Sequence, residues 1–196
     1  MRCPLKGLVG GIDEAGRGPL AGPVVSSCVV WKELPEDKCG VADSKLLTEK
    51  KREGLFPWIT DHAYRVGIGI ATSEEIDTLN ILNASLLSME RAVLYTGVAP
   101  DLLLVDGNRK LKNFPDCKTV VKGDRKCFYI ACASIIAKVV RDRIMYAYHL
   151  LYPVYNFRQN KGYPTKIHKM LIGDHGISPI HRKTFKGVKE RLAQRQ

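Results

Sequence analysis

None of the six cysteines meets another at CxxC spacing, and Cys28, Cys127 and Cys132 sit within or beside apolar stretches. That excludes a zinc ribbon or a disulfide frame and leaves reduced, structural thiols of the kind a cytosolic protein keeps. No window of 18 residues is apolar throughout, so no segment reads as membrane-spanning. The first residues, MRCPLKGLVGG, lack the apolar core of a secretion signal. There is no internal repeat, low-complexity tract or flexible linker. Acids are scarce as well: 20 Asp and Glu face 31 Lys and Arg, for a net charge of +11. Such a balance favours a polyanionic partner, with a merely solvated basic surface as the alternative.

What is present suits one domain. The chain has 196 residues, 45% of them hydrophobic, enough for a real core. The charge is uneven, because residues 151–196 carry ten Lys and Arg against Asp174 and Glu190, which is +8 of the +11. We expect residues 1–150 to form an α/β domain and residues 151–196 a basic, helical C-terminal extension packed upon it.

Residues 7–13 and 23–31 are β-rich and separated by glycine and proline, which predicts two neighbouring strands joined by a tight turn. Thr48 is an N-cap for a helix that Pro57 should bend or shorten. Alternation over residues 64–70 predicts a third strand. Thr72 and Glu75 form a capping box, and apolar Ile76, Leu79, Leu82, Leu86, Met89 and Val93 recur at helical spacing behind it. Residues 102–107 read as a buried strand ending in Asp106 and Gly107, and residues 118–121 as a short fifth strand closed by Lys122-Gly123-Asp124. A strong helical pattern covers residues 128–151, with Ser134, Lys138 and Arg141 sharing a polar stripe that could line a groove.

The few acids fall in telling places. Asp13 and Glu14 end the first apolar run, Asp106 ends another strand, and Asp124 follows a third. Acids where strands give way to loops can converge at one sheet edge, where α/β folds commonly place ligands. Four carboxylates in one cleft resist ionisation unless divalent cations screen them. Their hard oxygens select Mg²⁺ or Mn²⁺, and two such ions about 4 Å apart can activate water and stabilise a leaving oxygen in phosphodiester hydrolysis. Any one of the four, alone, is equally a turn former or a helix cap.

Gly16-Arg17-Gly18 follows the acid pair directly. It misses the dinucleotide-binding fingerprint by spacing, and Pro19 interrupts it. Two readings stand: an ordinary connecting turn, or a backbone that approaches nucleic acid closely while Arg17 supplies charge. Tyr163, in the loop Gly162-Tyr163-Pro164, either packs or presents its ring to a sugar or base. Ser44 with Lys45, and Ser134 with Lys138, are of the hydroxyl and ammonium types that contact phosphate, or are solvated surface groups. The histidines show no metal-ligand spacing.

Taken in order, Gly11-Ile12-Asp13-Glu14-Ala15-Gly16-Arg17-Gly18-Pro19, Asp43-Ser44-Lys45, Leu79-Asn80-Ile81, Val105-Asp106-Gly107-Asn108, Val121-Lys122-Gly123-Asp124, the run from Ala133 to Asp142, and Lys161-Gly162-Tyr163-Pro164-Thr165 closely resemble bacterial ribonuclease HII. The resemblance covers about residues 7 to 188. Leu46 and Cys132 depart from it, away from the chemistry. Type HIII relatives resemble a variant with lysine in place of Arg17 and an added N-terminal domain, so Arg17 and the early first strand favour type HII.

The resemblance implies an RNase H-like fold, with a mixed central β-sheet flanked by helices and a C-terminal helical extension. It implies a monomeric cytoplasmic nuclease using Mg²⁺ or Mn²⁺, acting on RNA/DNA hybrids and on DNA duplexes containing ribonucleotides, with 3′-hydroxyl and 5′-phosphate products. Asp13, Glu14, Asp106 and Asp124 take the metal-binding catalytic positions. Gly16, Arg17 and Gly18 would read the ribonucleotide through its 2′-hydroxyl, and Tyr163 would pack on the adjoining sugar. The rival expectation is a non-catalytic nucleic-acid-binding module in which the acids are structural.

Overall fold

Both β-rich runs near the start become strands, β1 (Val9–Ala15) and β2 (Val24–Trp31), paired antiparallel with Ile12 opposite Cys28. A computed structural model describes residues 7–41 and 47–193; the expected contacts Ser44 and Lys45 lie outside the described residues. Every residue of β2 is buried, as a central strand covered on both faces requires. Helix α1 (Glu49–His62) follows, capped by the Thr48 hydroxyl, which accepts from the Lys51 N–H at 3.2 Å; Pro57 lies inside the helix without ending it. Next come β3 (Arg65–Ala71), α2 (Ser73–Leu94), β4 (Leu102–Asp106), β5 (Lys118–Val120), the single turn α3 (Gly123–Lys126) and the long α4 (Phe128–Leu151). A 3₁₀ turn (Pro153–Tyr155), α5 (Phe157–Asn160), α6 (Lys166–His175) and α7 (Lys189–Ala193) complete the order.

The sheet runs β3-β2-β1-β4-β5, antiparallel across β3, β2 and β1 and parallel across β1, β4 and β5. Strand alternation divides the core. Val29 and Trp31 pack with Leu55 and Ile59 of α1 and Ile136 of α4, whereas Cys28 and Val30 pack with Met89 and Val93 of α2. A side chain at Gly11 would overlap the backbone of Tyr129, so the first turn of α4 can lie directly against β1, just ahead of the acids.

Two expectations change. Helix α2 keeps its capping box, with Thr72 and Glu75 exchanging hydrogen bonds, but is kinked where Asn80 takes φ 67°. The Asn80 carboxamide oxygen accepts from the Leu82 and Asn83 N–H groups and so caps a second helical segment. A bidentate pair between Arg91 and Glu75, at 2.7 and 3.0 Å, spans the kink.

The β1–β2 connection is also not a tight turn. It occupies residues 16–23, where Pro19 and Pro23 have no N–H to give. It is held instead from the far end of the chain: Leu20 N–H donates to Gly162 O at 2.7 Å, Gly22 N–H to Ile180 O at 2.9 Å, and Arg182 N–H to Leu20 O at 2.8 Å. Asp77 of α2 holds the same distal region by accepting from the backbone of Lys183 and Thr184.

Candidate active site

Strands β1 and β4 run parallel, with Ile12 opposite Val105 as their last paired residues. One step further stand Asp13 and Asp106. The parallel register therefore brings together two carboxylates that are 93 residues apart. Gly123 N–H donates to Asp106 Oδ1 at 2.7 Å and fixes it from the side of α3. Asp13 is 5% exposed; its Oδ1 accepts from the Glu14 N–H at 2.7 Å. Glu14 faces Arg17, with Nη1 donating to Oε1 at 3.3 Å.

Burial holds the Asp13 carboxyl well above the ordinary carboxylate range, and the charges of Glu14 and Asp106 add to it against a Ser134 hydrogen bond and the charge of Lys138. Burial likewise raises Glu14, with Asp106 adding to the shift and Arg17 opposing it. A cluster that resists its own ionisation is a fitting host for a divalent cation, and its donors are all carboxylate oxygen, as Mg²⁺ and Mn²⁺ prefer.

Asp13, Glu14, Gly16, Arg17, Gly18, Asp106, Lys138 and Tyr163 line one open cavity of about 550 Å³. Two expected members, Asp124 and Ser134, are not among its lining residues. Asp124 is buried in α3 next to Gly123, and lines a second cavity with Phe128 and Ala131 of α4. Among the described residues no group of three His, Cys, Asp or Glu side chains is placed to hold one ion. Ser134 is fully buried. Its hydroxyl accepts from Lys138 Nζ at 3.1 Å and hydrogen-bonds Asp13, which puts it behind the acids and not on the surface a phosphate would meet.

Two arginines hold the glycine segment from beneath: Arg141, read from the sequence as part of a polar stripe that could line a groove and found lining the cavity, and Arg182, which pattern reading passed over. Arg182, fully buried, donates to the carbonyl oxygens of Gly22 (3.0 Å), Arg17 (3.0 Å) and Gly16 (2.6 Å). Arg141, 2% exposed, donates to those of Pro23 (3.1 Å), Lys161 (3.0 Å) and Ala21 (3.3 Å). Burial lowers both guanidinium pKa values, and Arg141 adds to the effect on Arg182. In the sequence one belonged to a polar helix stripe and the other to a basic tail. No local signal marks their backbone contacts, because the acceptors lie up to 166 residues away.

Tyr163 is 47% exposed. Its ring edge is the nearest thing a side chain at Gly18 would meet, at 3.8 Å, and the Arg141 guanidinium lies 5.9 Å from its centre. Glycine backbone and aromatic ring are thus adjacent walls of the cavity, within reach of the acids.

A family model described as Ribonuclease HII matches residues 10–188. The chain is 51% identical over 186 residues to Ribonuclease HII of Marinomonas sp. (strain MWYL1), covering 94% of this chain and 93% of that one. Among solved structures it is similar to the ribonuclease H2 from Pyrococcus horikoshii OT3, with a TM-score of 0.77, 28% identity, and coverage of 95% and 98%. It also shares the fold of Bst-RNase HIII, solved in complex with Mn²⁺, with a TM-score of 0.76, 17% identity, and coverage of 95% and 70%. The mixed five-stranded sheet with its flanking helices is an RNase H-like fold, and by this match the chain belongs to the ribonuclease HII family of hydrolases, endoribonucleases of RNA/DNA hybrids.

Proposed function

We propose that the enzyme, besides cutting RNA in hybrids, nicks duplex DNA on the 5′ side of an embedded ribonucleotide and leaves 3′-hydroxyl and 5′-phosphate ends. The observation that carries this reading is the shared cavity: Asp13, Glu14 and Asp106, the glycine segment and Tyr163 line one open space. A single ribonucleotide can then meet its recognition and its chemistry at once.

Asp13, Glu14, Asp106 and Asp124 would hold Mg²⁺ or Mn²⁺. Bound there, such ions supply the Lewis acidity that phosphodiester hydrolysis by water needs. The remaining work falls to the chain itself. The backbone of residues 16–18 meets the ribose 2′-hydroxyl, an approach that glycines without side chains leave open. Arg17 and Lys138 bring positive charge to the phosphates on either side of the acids. The Tyr163 ring takes the next sugar, where a flat apolar face favours deoxyribose over a hydrated ribose. Residues 151–196 serve as a basic helical extension packed on the catalytic domain, and the enzyme acts as a cytoplasmic monomer.

A duplex carrying one ribonucleotide tests the reading, incubated with Mn²⁺ or with a chelator alongside an all-DNA control. The reading expects a product only from the ribonucleotide duplex with metal. Salt-sensitive binding without product would instead support a binding module.

A further inference from the structure

Behind Tyr163 two histidines form a hydrogen-bond chain with one self-consistent placement of protons. His168 of α6 is fully buried and His181 is 1% exposed. The Tyr163 carbonyl oxygen lies 2.8 Å from His168 Nδ1. A carbonyl only accepts, so Nδ1 carries the hydrogen and the Nε2 of a neutral His168 is an acceptor. His181 Nε2, 3.1 Å away, must therefore donate. That leaves His181 Nδ1 to accept from Ser178, whose N–H lies at 2.9 Å and whose hydroxyl lies at 2.8 Å. The chain runs one way, from Ser178 through both rings to Tyr163.

Its surroundings keep it neutral. The Tyr155 ring lies 4.9 Å from His181, and the Phe157 ring 5.5 Å from His168 and 5.8 Å from His181. Burial lowers the pKa of both histidines. Each histidine is tied to a wall of the substrate cavity. The residue after His181 is Arg182, which grips the carbonyls of Gly16 and Arg17; the residue at the other end is Tyr163 itself.

We propose that His168 and His181 are positioning residues that fix the distance between the Tyr163 ring and the backbone of residues 16–18, and so set the one-nucleotide step at which ribose is told from deoxyribose. The proposal rests on the junction reading above. Neither ring lines the cavity, so they act only through the segments they tie.

Long-range ¹⁵N spectra of the histidine rings at about pH 6, where an ordinary histidine is largely protonated, test the chain without any turnover. The expected result is a neutral His168 with hydrogen on Nδ1 and a neutral His181 with hydrogen on Nε2; hydrogen on His168 Nε2 overturns it. A second measurement reads function. His181→Phe keeps a ring in the apolar cage and removes the bonds to His168 and Ser178, and should lower the preference for a DNA–ribonucleotide–DNA duplex over a uniform hybrid about fivefold, the worth of the one neutral hydrogen bond that leads to Tyr163. His181→Gln restores a donor toward His168 and should retain more of that preference than His181→Phe. A preference lost in Tyr163→Ala but intact in His181→Phe overturns the positioning role alone. One intact in Tyr163→Ala overturns the junction reading on which it rests.

Discussion

Arg182 Nη2 donates to the Gly16 carbonyl oxygen at 2.6 Å across 166 residues of chain. Gly16 has φ of +100°, and a side chain there would overlap the Arg141 guanidinium and approach the Pro23 carbonyl. The glycine segment is thus clamped between two buried cations, and its shape is set before substrate arrives. Arg182→Met leaves three inward carbonyls without that donor. We expect a loss of about 3 kcal/mol, or roughly 10 °C in melting temperature, with a raised KM in the protein that remains folded. Calorimetry and steady-state kinetics check it; an unchanged melting temperature removes the clamp from the account.

The two glycines should behave differently. Gly16→Ala meets both the left-handed backbone and Arg141, and should destabilise by at least about 2 kcal/mol. Gly18→Ala meets only the Tyr163 ring at 3.8 Å, so it should fold normally and weaken substrate binding. Comparable losses of stability in both variants would contradict this division.

Asp13 titrates high because it is buried beside Glu14 and Asp106. A raised folded pKa stabilises the protein at low pH, and that contribution is lost as pH rises through it, so at neutral pH the charged cluster weighs against the fold. Asp13→Asn should therefore raise the melting temperature of the metal-free protein while lowering cleavage by a factor on the order of a thousand. Added Mg²⁺ should stabilise the parent more than the variant. Scanning fluorimetry with and without metal reads both, and near-parental activity in Asp13→Asn would remove the residue from the site.

A base stacked on an aromatic ring is worth about 1–3 kcal/mol, and we take the lower half of that range for a ring packed on a sugar. Tyr163→Ala should accordingly cut the preference for a DNA–ribonucleotide–DNA duplex over a uniform hybrid about tenfold, measured as a ratio of kcat/KM values. An unchanged ratio would make the ring mere surface.

Burial lowers His168 and His181, with repulsion from His168 adding to bring His181 to about 4. Unfolded histidines titrate near about 6.5, so below that pH the unfolded chain binds protons that the folded one refuses. The stabilisation is complete above about 6.5 and is lost as pH falls toward about 4, with His181 contributing about 3 kcal/mol. Urea midpoints across this window should fall less steeply in His181→Phe than in the parent. Parallel curves would show that the pair is not held neutral.

Much of this was legible in the residues. The capping box at Thr72 and the limits of α4 follow local chemistry, and Asp13, Glu14 and Asp106 stand out because each closes an apolar strand pattern. What was hidden depends on contacts between distant segments. Arg182 looked like tail charge because its acceptors are residues 16, 17 and 22. The connection over residues 16–23 looked like a turn because its partners, Gly162 and Ile180, are remote. Ser134 looked like surface because its helix stripe is polar, yet that stripe is covered by β1 at Asp13.

The central claim is that acids and glycine segment act on one ribonucleotide together, and mapping the ends of a nicked duplex with a single embedded ribonucleotide tests it most directly. The expected result is one Mn²⁺- or Mg²⁺-dependent cut on the 5′ side of that nucleotide, leaving a 3′-hydroxyl on the DNA and a 5′-phosphate on the ribonucleotide. A cut on the 3′ side, or one indifferent to the ribonucleotide's position, would contradict it.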